Sequence, residues 1–160
     1  MNKRTLLILL LLGGMYAYSQ NNFWENPALV DEGKEPARTY FIHHNTVDEW
    51  KGNDLNTSRN IQMLNGTWKF HFAEKVADRP ILFFDPSLND ESWSDIQVPG
   101  SWEMQGFGVP VYTNVSYVFP KNPPFVDNND LPIGTYRKVF TLDEQLSGKE
   151  IILHCGSISG

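Results

Sequence analysis

Along most of its length the chain alternates between apolar and polar positions instead of repeating at helical spacing. The clearest run is Leu64-Asn65-Gly66-Thr67-Trp68-Lys69-Phe70-His71-Phe72. It opens on an Asn-Gly turn signal, then sets Trp68, Phe70 and Phe72 on one side and Lys69 and His71 on the other. Period-two alternation of this kind predicts a half-buried strand. A shorter strand is predicted over Asp95–Val98 and is closed by Pro99-Gly100. Gly134–Leu142 predicts another, with Tyr136 and Phe140 on one face. Glu150–Cys155, which contains Ile151, Ile152 and Leu153, predicts a strand that is fully buried. Thr46-Val47-Asp48-Glu49 fits a capping box and predicts a short helix, with a wrapped loop as the alternative for that stretch. Residues 105–134 hold Pro110, Pro120, Pro123, Pro124 and Pro132, and no helix survives that density of proline.

Short strands separated by turn signals, with almost no helical periodicity, argue for an all-β sandwich. The recognisable strands are roughly four or five, short of the about eight of a jelly roll. The sequence therefore reads as the first part of a longer domain, incomplete at its C-terminal end. Cut off there, such a sandwich exposes a strand edge and an apolar inner face, so the isolated chain is expected to fold poorly.

The first residues carry a different pattern. Lys3 and Arg4 are followed by the unbroken apolar run Leu6–Leu12, then Gly13-Gly14, then Ala17-Tyr18-Ser19 with small residues at two places before a cut. That succession predicts a secretory signal peptide over residues 1–19. The run is too short for a membrane span, which needs about 20 apolar residues. Residues 20–60 form an irregular lead segment and residues 61–160 the sandwich. Export to the periplasm is expected, with release outside the cell as the alternative, and no membrane span remains once the leader is removed.

Composition narrows the function. The 160 residues are 41% hydrophobic and 20% charged, which suits a globular domain. The net charge of −6 becomes −8 without the leader, which holds two basic residues and no acidic one. Phosphate binding needs a basic surface, so a nucleic-acid partner is excluded. The single Cys155 leaves no internal disulfide, and its apolar neighbours predict a small buried residue. His43 and His44 are adjacent, a poor spacing for two ligands of one metal.

No nucleophile elbow, P-loop, dinucleotide fingerprint or zinc spacing is present. A retaining glycosidase needs two carboxyl groups about 5 Å apart. The candidates Asp85, Asp90, Glu91, Asp95 and Glu103 all lie in turn-rich sequence that specifies no buried pair. The triplets at Asn56, Asn65 and Asn114 fit a glycosylation acceptor, but such triplets are common by chance. Aromatics are 13% of the chain. Together with Asn and Asp they are compatible with sugar binding, since aromatic rings stack on pyranose faces and carboxamides sort hydroxyls.

Several segments resemble the N-terminal region of family 2 β-galactosidases, in order along residues 24–160. They are Trp24-Glu25-Asn26-Pro27, Leu64-Asn65-Gly66-Thr67-Trp68-Lys69-Phe70 and Val98-Pro99-Gly100-Ser101-Trp102-Glu103-Met104-Gln105-Gly106. The most specific are Pro110-Val111-Tyr112-Thr113-Asn114-Val115-Ser116-Tyr117 and Asn122-Pro123-Pro124-Phe125-Val126, followed by Gly134-Thr135-Tyr136-Arg137. The resemblance implies a jelly-roll, galactose-binding-domain-like fold beside a catalytic barrel whose two glutamates lie far downstream. It implies that Asn114, with Val115 beside it, contacts galactose, and that this stretch holds no catalytic residue. The partners it implies are a galactoside substrate, the remaining domains of the same polypeptide and, for the full-length enzyme, further copies of itself. For cofactors the resemblance implies Mg2+ and Na+ in the full-length enzyme and none in this stretch. Some relatives bind magnesium through an Asp just before Trp-Glu-Asn-Pro and the Asn within it. Here Asn26 is present but Phe23 holds the Asp position, and an apolar ring cannot coordinate a hard cation. No metal ligand is therefore expected at Phe23 and Asn26. The alternatives are a stand-alone carbohydrate-binding module and a family 2 β-glucuronidase or β-mannosidase.

Overall fold

The computed structural model describes residues 23–39, 41–52, 58–111 and 120–158. The chain divides into two compact units, Met1–Glu35 with Phe119–Val126 and Pro36–Val118 with Asp127–Gly160.

The larger unit is organised by three antiparallel strands. β1 spans Gly66–Ala73, β2 Ser94–Val98 and β3 Ile133–Arg137, in the order β2-β1-β3. Trp68 lies opposite Ile96, and Phe70 opposite both Ser94 and Tyr136. This register gathers Trp68, Phe70, Phe72, Ile96, Gly134 and Tyr136 on one face. Lys69, His71, Ala73, Asp95, Thr135 and Arg137 share the other. Phe70 and Ile96, each 1% exposed, are the most buried apolar side chains and mark the centre of the core. Complete burial of Phe70 stabilises by about 1.5–3 kcal/mol. Trp68 also satisfies its indole N–H, which donates to the Leu64 carbonyl at 2.7 Å.

The second face is more than a solvated polar one. Ala73 and Thr135 are buried there. The His71 ring lies 5.4 Å from that of Trp93, and the Arg137 guanidinium carbon lies 5.9 Å from the Trp93 ring centre. Lys69 pairs with Asp95 at 2.9 Å across the β1–β2 ladder.

The Thr46 half of the capping box forms, while Glu49 reaches one residue further back, to Asn45. Helix α1 spans Val47–Gly52. The Glu49 N–H donates to Thr46 Oγ1 at 3.2 Å, and Glu49 Oε2 accepts the Asn45 N–H at 2.8 Å. Among the described residues, helix is confined to α1 and single 3-10 turns, so the fold class is all-β.

Two predicted strands differ. The run from Gly134 leaves the sheet after Arg137, and Phe140 stands half-exposed beyond it. Glu150–Cys155 forms no strand of the sheet, and Ile151, Ile152, Leu153 and Cys155 are all exposed. A strand is buried on both faces only where a ladder and a second layer receive it, and among the described residues neither meets this segment. The expectation of a buried Cys155 is corrected accordingly.

In the smaller unit, a 3-10 turn spans Phe23–Glu25. Asn26 continues it: its backbone carbonyl accepts the Leu29 N–H at 3.0 Å and its Oδ1 the Ala28 N–H at 3.1 Å. Around the Pro123-Pro124 pair, Asn122 closes a turn by accepting the Phe125 N–H at 2.8 Å. The expected leader, residues 1–19, lies outside the described residues.

Candidate functional site

The side chains most tightly organised in the larger unit form an aromatic shelf on the first face of the sheet. Phe70 is its centre, with Phe107 and Tyr136 each 4.7 Å away between ring centres and Trp102 at 6.0 Å. Phe72 meets Trp102 edge-on at 5.8 Å. These distances and tilts are those at which aromatic quadrupoles attract.

A glycine in β3 makes the shelf possible. A methyl group on Gly134 would sit 2.3 Å from Trp102 Cζ3 and 2.6 Å from Phe70 Cε2. The indole lies directly on the strand backbone, where no side chain fits. Tyr136, two residues on, forms the shelf's more open edge. Burial raises its phenol pKa, and the negative charge of Glu103 raises it further. Glu103 itself accepts a hydrogen bond from the Ser101 hydroxyl. That contact holds its carboxyl below the usual carboxylate range, assisted by backbone hydrogen bonding.

Trp102 and Phe107 reach the shelf because the chain turns back on itself after β2. A 3-10 turn spans Glu103–Gln105, and the Trp102 carbonyl accepts from Gln105 N–H at 2.9 Å and Phe107 N–H at 3.1 Å. Gly106 follows in the left-handed region, φ 91°, which L side chains resist. The Gln105 carboxamide then lies along the free edge of β2. Its Oε1 accepts the Gln97 N–H at 2.7 Å, and its Nε2 donates to the Gln97 carbonyl at 3.0 Å. A side chain here takes the place of a neighbouring strand and closes an edge that would otherwise be open. Gln62 acts similarly elsewhere, donating to the Thr141 carbonyl at 2.8 Å and accepting the Asp143 N–H at 2.9 Å.

The turn leads into Val109-Pro110-Val111, all exposed. The predicted sugar contacts Asn114 and Val115 follow in sequence and lie outside the described residues, which omit 112–119.

The loop carboxylates have structural partners. Asp90 pairs with Arg137 at 3.0 Å, and Asp95 with Lys69. Asp85 accepts the Ser87 hydroxyl at 2.7 Å and the Ser87 N–H at 2.8 Å, contacts that lower its pKa. Glu91 is exposed, with its N–H donated to Asn89 Oδ1 at 2.9 Å. Arg137, missed in the sequence, also donates to the Phe83 and Asp85 carbonyls at 3.2 and 3.0 Å, tying residues 83–90 to β3. Both Arg137 and Gln105 stand in segments that resemble the family, but that signal does not reveal their roles, since a loop carboxamide or strand arginine reads as solvated until its backbone partners are known.

Among the described residues no three His, Cys, Asp or Glu gather as a metal set. At the one position where resemblance suggested magnesium, the exposed ring of Phe23 offers no oxygen, and Asn26 Oδ1 already accepts the Ala28 N–H. Phe23 therefore cannot serve as a ligand of a hard cation.

Comparison with known proteins gives a concordant picture. Residues 61–159 match the family described as glycosyl hydrolases family 2, sugar binding domain. The chain is similar to the protein named Beta-galactosidase of Priestia megaterium, 38% identical over 120 residues that cover 72% of this chain and 12% of that protein. A Vibrio cholerae protein of the same name is 38% identical over 122 residues, 76% of this chain and 12% of the relative. One from Psychromonas ingrahamii is 45% identical over 89 residues, 56% of this chain and 8% of the relative. The chain therefore spans about an eighth of the length of the first two relatives.

Proposed function

Because this chain belongs to the sugar-binding domains of glycosyl hydrolase family 2, we propose that it is the N-terminal sugar-binding part of a β-galactosidase that removes terminal β-galactose with retention. The observation that carries this reading is the match over residues 61–159 together with relatives that bear the name Beta-galactosidase. The matched residues include the three strands, the shelf and the turn that leads into the Tyr112-Thr113-Asn114-Val115 stretch.

In this reading Asn114 contacts the galactose, with Val115 beside it. A carboxamide offers two donors and an acceptor, so it pairs with a sugar hydroxyl in either sense. In this reading the chemistry belongs to a carboxylate pair on later domains, as the resemblance implies; of the candidates here Asp85, Asp90, Asp95 and Glu103 are engaged structurally and Glu91 is exposed. Any Mg2+ or Na+ of the complete enzyme takes its ligands from residues other than Phe23.

We further propose export to the periplasm, supported by the basic, apolar and small-residue succession over residues 1–19. N-terminal sequencing of the exported protein should start near Gln20, and retention of Met1 would refute this.

The test of function is hydrolysis by the complete gene product of nitrophenyl β-galactoside beside the β-glucuronide and β-mannoside. Preferential cleavage of the galactoside is expected. Preference for either of the others would replace the substrate. A gene product that binds galactosides and hydrolyses none of the three would replace the enzyme with a binding module.

A further inference from the structure

We propose that the outer edge of β3, and not that of β2, receives a further strand, supplied by the same polypeptide beyond residue 160. The inference rests on the reading above that this chain is the first part of a longer protein. It starts from which way the backbone groups of the sheet point. Both backbone groups of Gln97 bond the Gln105 carboxamide, at 2.7 and 3.0 Å, so they face away from β1. In an antiparallel ladder successive residues alternate between bonding one neighbour and facing the other side. Gln97 lies opposite Thr67, so Thr67, Lys69, His71 and Ala73 turn their backbone groups away from β2, toward β3. The Thr67 carbonyl agrees with this, since it accepts from Lys138 Nζ at 2.8 Å just past the end of β3. Lys69 with Arg137, His71 with Thr135 and Ala73 with Ile133 are then the bonded pairs. Gly134 and Tyr136 are left with their N–H and C=O groups pointing out of the sheet.

The two edges are therefore unequal. That of β2 is closed by a side chain of its own turn. That of β3 presents both backbone groups of Gly134 and of Tyr136, and among the described residues none of these has a partner. An edge of this kind is a template for another strand unless charge, proline or a bulge protects it. Here the two adjoining charges are already engaged, Arg137 by Asp90 and Lys138 by the Thr67 carbonyl. Pro132 stands before the strand and blocks neither Gly134 nor Tyr136. The chain beyond is apolar and open, with Val139 88% exposed and Phe140 half-exposed. The apolar run Ile151–Leu153 does not cover the edge, being exposed and part of no strand. The matched residues make up 12% of each of the first two relatives, so a protein of that kind has ample chain left to supply the strand. Its pattern follows from the pleat: the residue beside Tyr136 is apolar, because it extends the shelf, and its neighbours fall on the face of Thr135 and Arg137.

The experiment uses the complete gene product, by hydrogen exchange resolved to single amides. The Gly134 and Tyr136 N–H groups should exchange on the order of 100-fold or more slower than in an unstructured chain, as amides held in a ladder do. In Gln105→Ala the Gln97 N–H should become fast while that of Tyr136 stays slow. A photoreactive benzoylphenylalanine in place of Val139 identifies the occupant. On irradiation the cross-linked peptide should come from beyond residue 160, in a product with the mass of one chain. Fast exchange at Tyr136 overturns the proposal, and this arm needs no substitution, so it decides even if the benzoylphenylalanine variant fails to fold. A cross-link to residues 1–160, a cross-link that joins two chains, or none at all in the folded variant also overturns it. A Gln97 N–H that stays slow in Gln105→Ala shows a strand on β2 and overturns the choice of edge. Each of these leaves the sugar-binding reading standing, since that reading is decided separately by the comparison of the three nitrophenyl glycosides.

Discussion

A methyl group added at Gly134 should open the sheet. In Gly134→Ala the new Cβ would stand 2.3 and 2.5 Å from Trp102 Cζ3 and Cε3 and 2.6 Å from Phe70 Cε2. Carbon atoms that are not bonded rest near 3.5–4.0 Å, so more than an ångström has to be recovered. Phe70 cannot supply it, being 1% exposed and bounded by Phe107 and Tyr136. Trp102 is half-buried and has to swing outward, which also breaks its contacts with Phe70 and Phe72. Overpacking of this kind costs about 1–3 kcal/mol. The suitable assay is limited proteolysis of the complete gene product, scored on peptides from residues 66–137. Where local opening is fast relative to cleavage, that cost converts to roughly 5- to 150-fold faster cutting. Gly156→Ala is the control, because the nearest atom to its Cβ is His154 Nε2 at 3.9 Å. Combining Gly134→Ala with Trp102→Leu should cost less than the two changes added, since the larger clash is with the indole. Cleavage of Gly134→Ala at the wild-type rate would refute the account of the shelf.

Other outcomes follow from single contacts. On the proposed reading of Asn114, Asn114→Ala in the complete gene product should reduce kcat/KM for galactosides about 10- to 100-fold, with the melting temperature hardly moved, because that reading leaves a substrate hydroxyl unpaired; a lowered melting temperature with normal kinetics would show a turn residue instead. Arg137→Lys keeps the charge but not the fork that serves Asp90 and the Phe83 and Asp85 carbonyls, so it should cost about 1–3 kcal/mol and raise proteolysis within residues 83–90. The phenol of Tyr136 has its pKa raised above the ordinary 10.0, first by burial and then by Glu103. Its neutral form is thus favoured in the folded state, a stabilisation present below pH 10.0 and lost as pH rises through the folded value. Tyr136→Phe should flatten the alkaline fall of the melting temperature. Glu103 and Asp85 have lowered pKa values, so their contribution is present above the ordinary 4.5 and 3.8 and is lost as pH falls through the lower folded values. Ser101→Ala and Ser87→Ala should each weaken the acid loss of stability, and unchanged acid profiles would refute those links.

Local pattern determined a good deal by itself. Strand β1 was legible because alternation of Trp68, Phe70 and Phe72 with Lys69 and His71 needs no partner to be recognised. The Pro99-Gly100 stop after β2 and the capping box of α1 were legible for the same reason, since each is a contact within a few residues. The membership of residues 61–159 was carried by short motifs whose order along the chain is itself information. What lay beyond the sequence was every contact that joins distant segments. Gln105 as a surrogate strand for Gln97, Arg137 as the anchor of residues 83–90, and Gly134 as the floor under Trp102 depend on registers that no local pattern contains. The same reason explains the run Ile151-Ile152-Leu153. Its hydrophobicity is a local property, but burial requires a neighbour, and only the tertiary structure decides whether one is there.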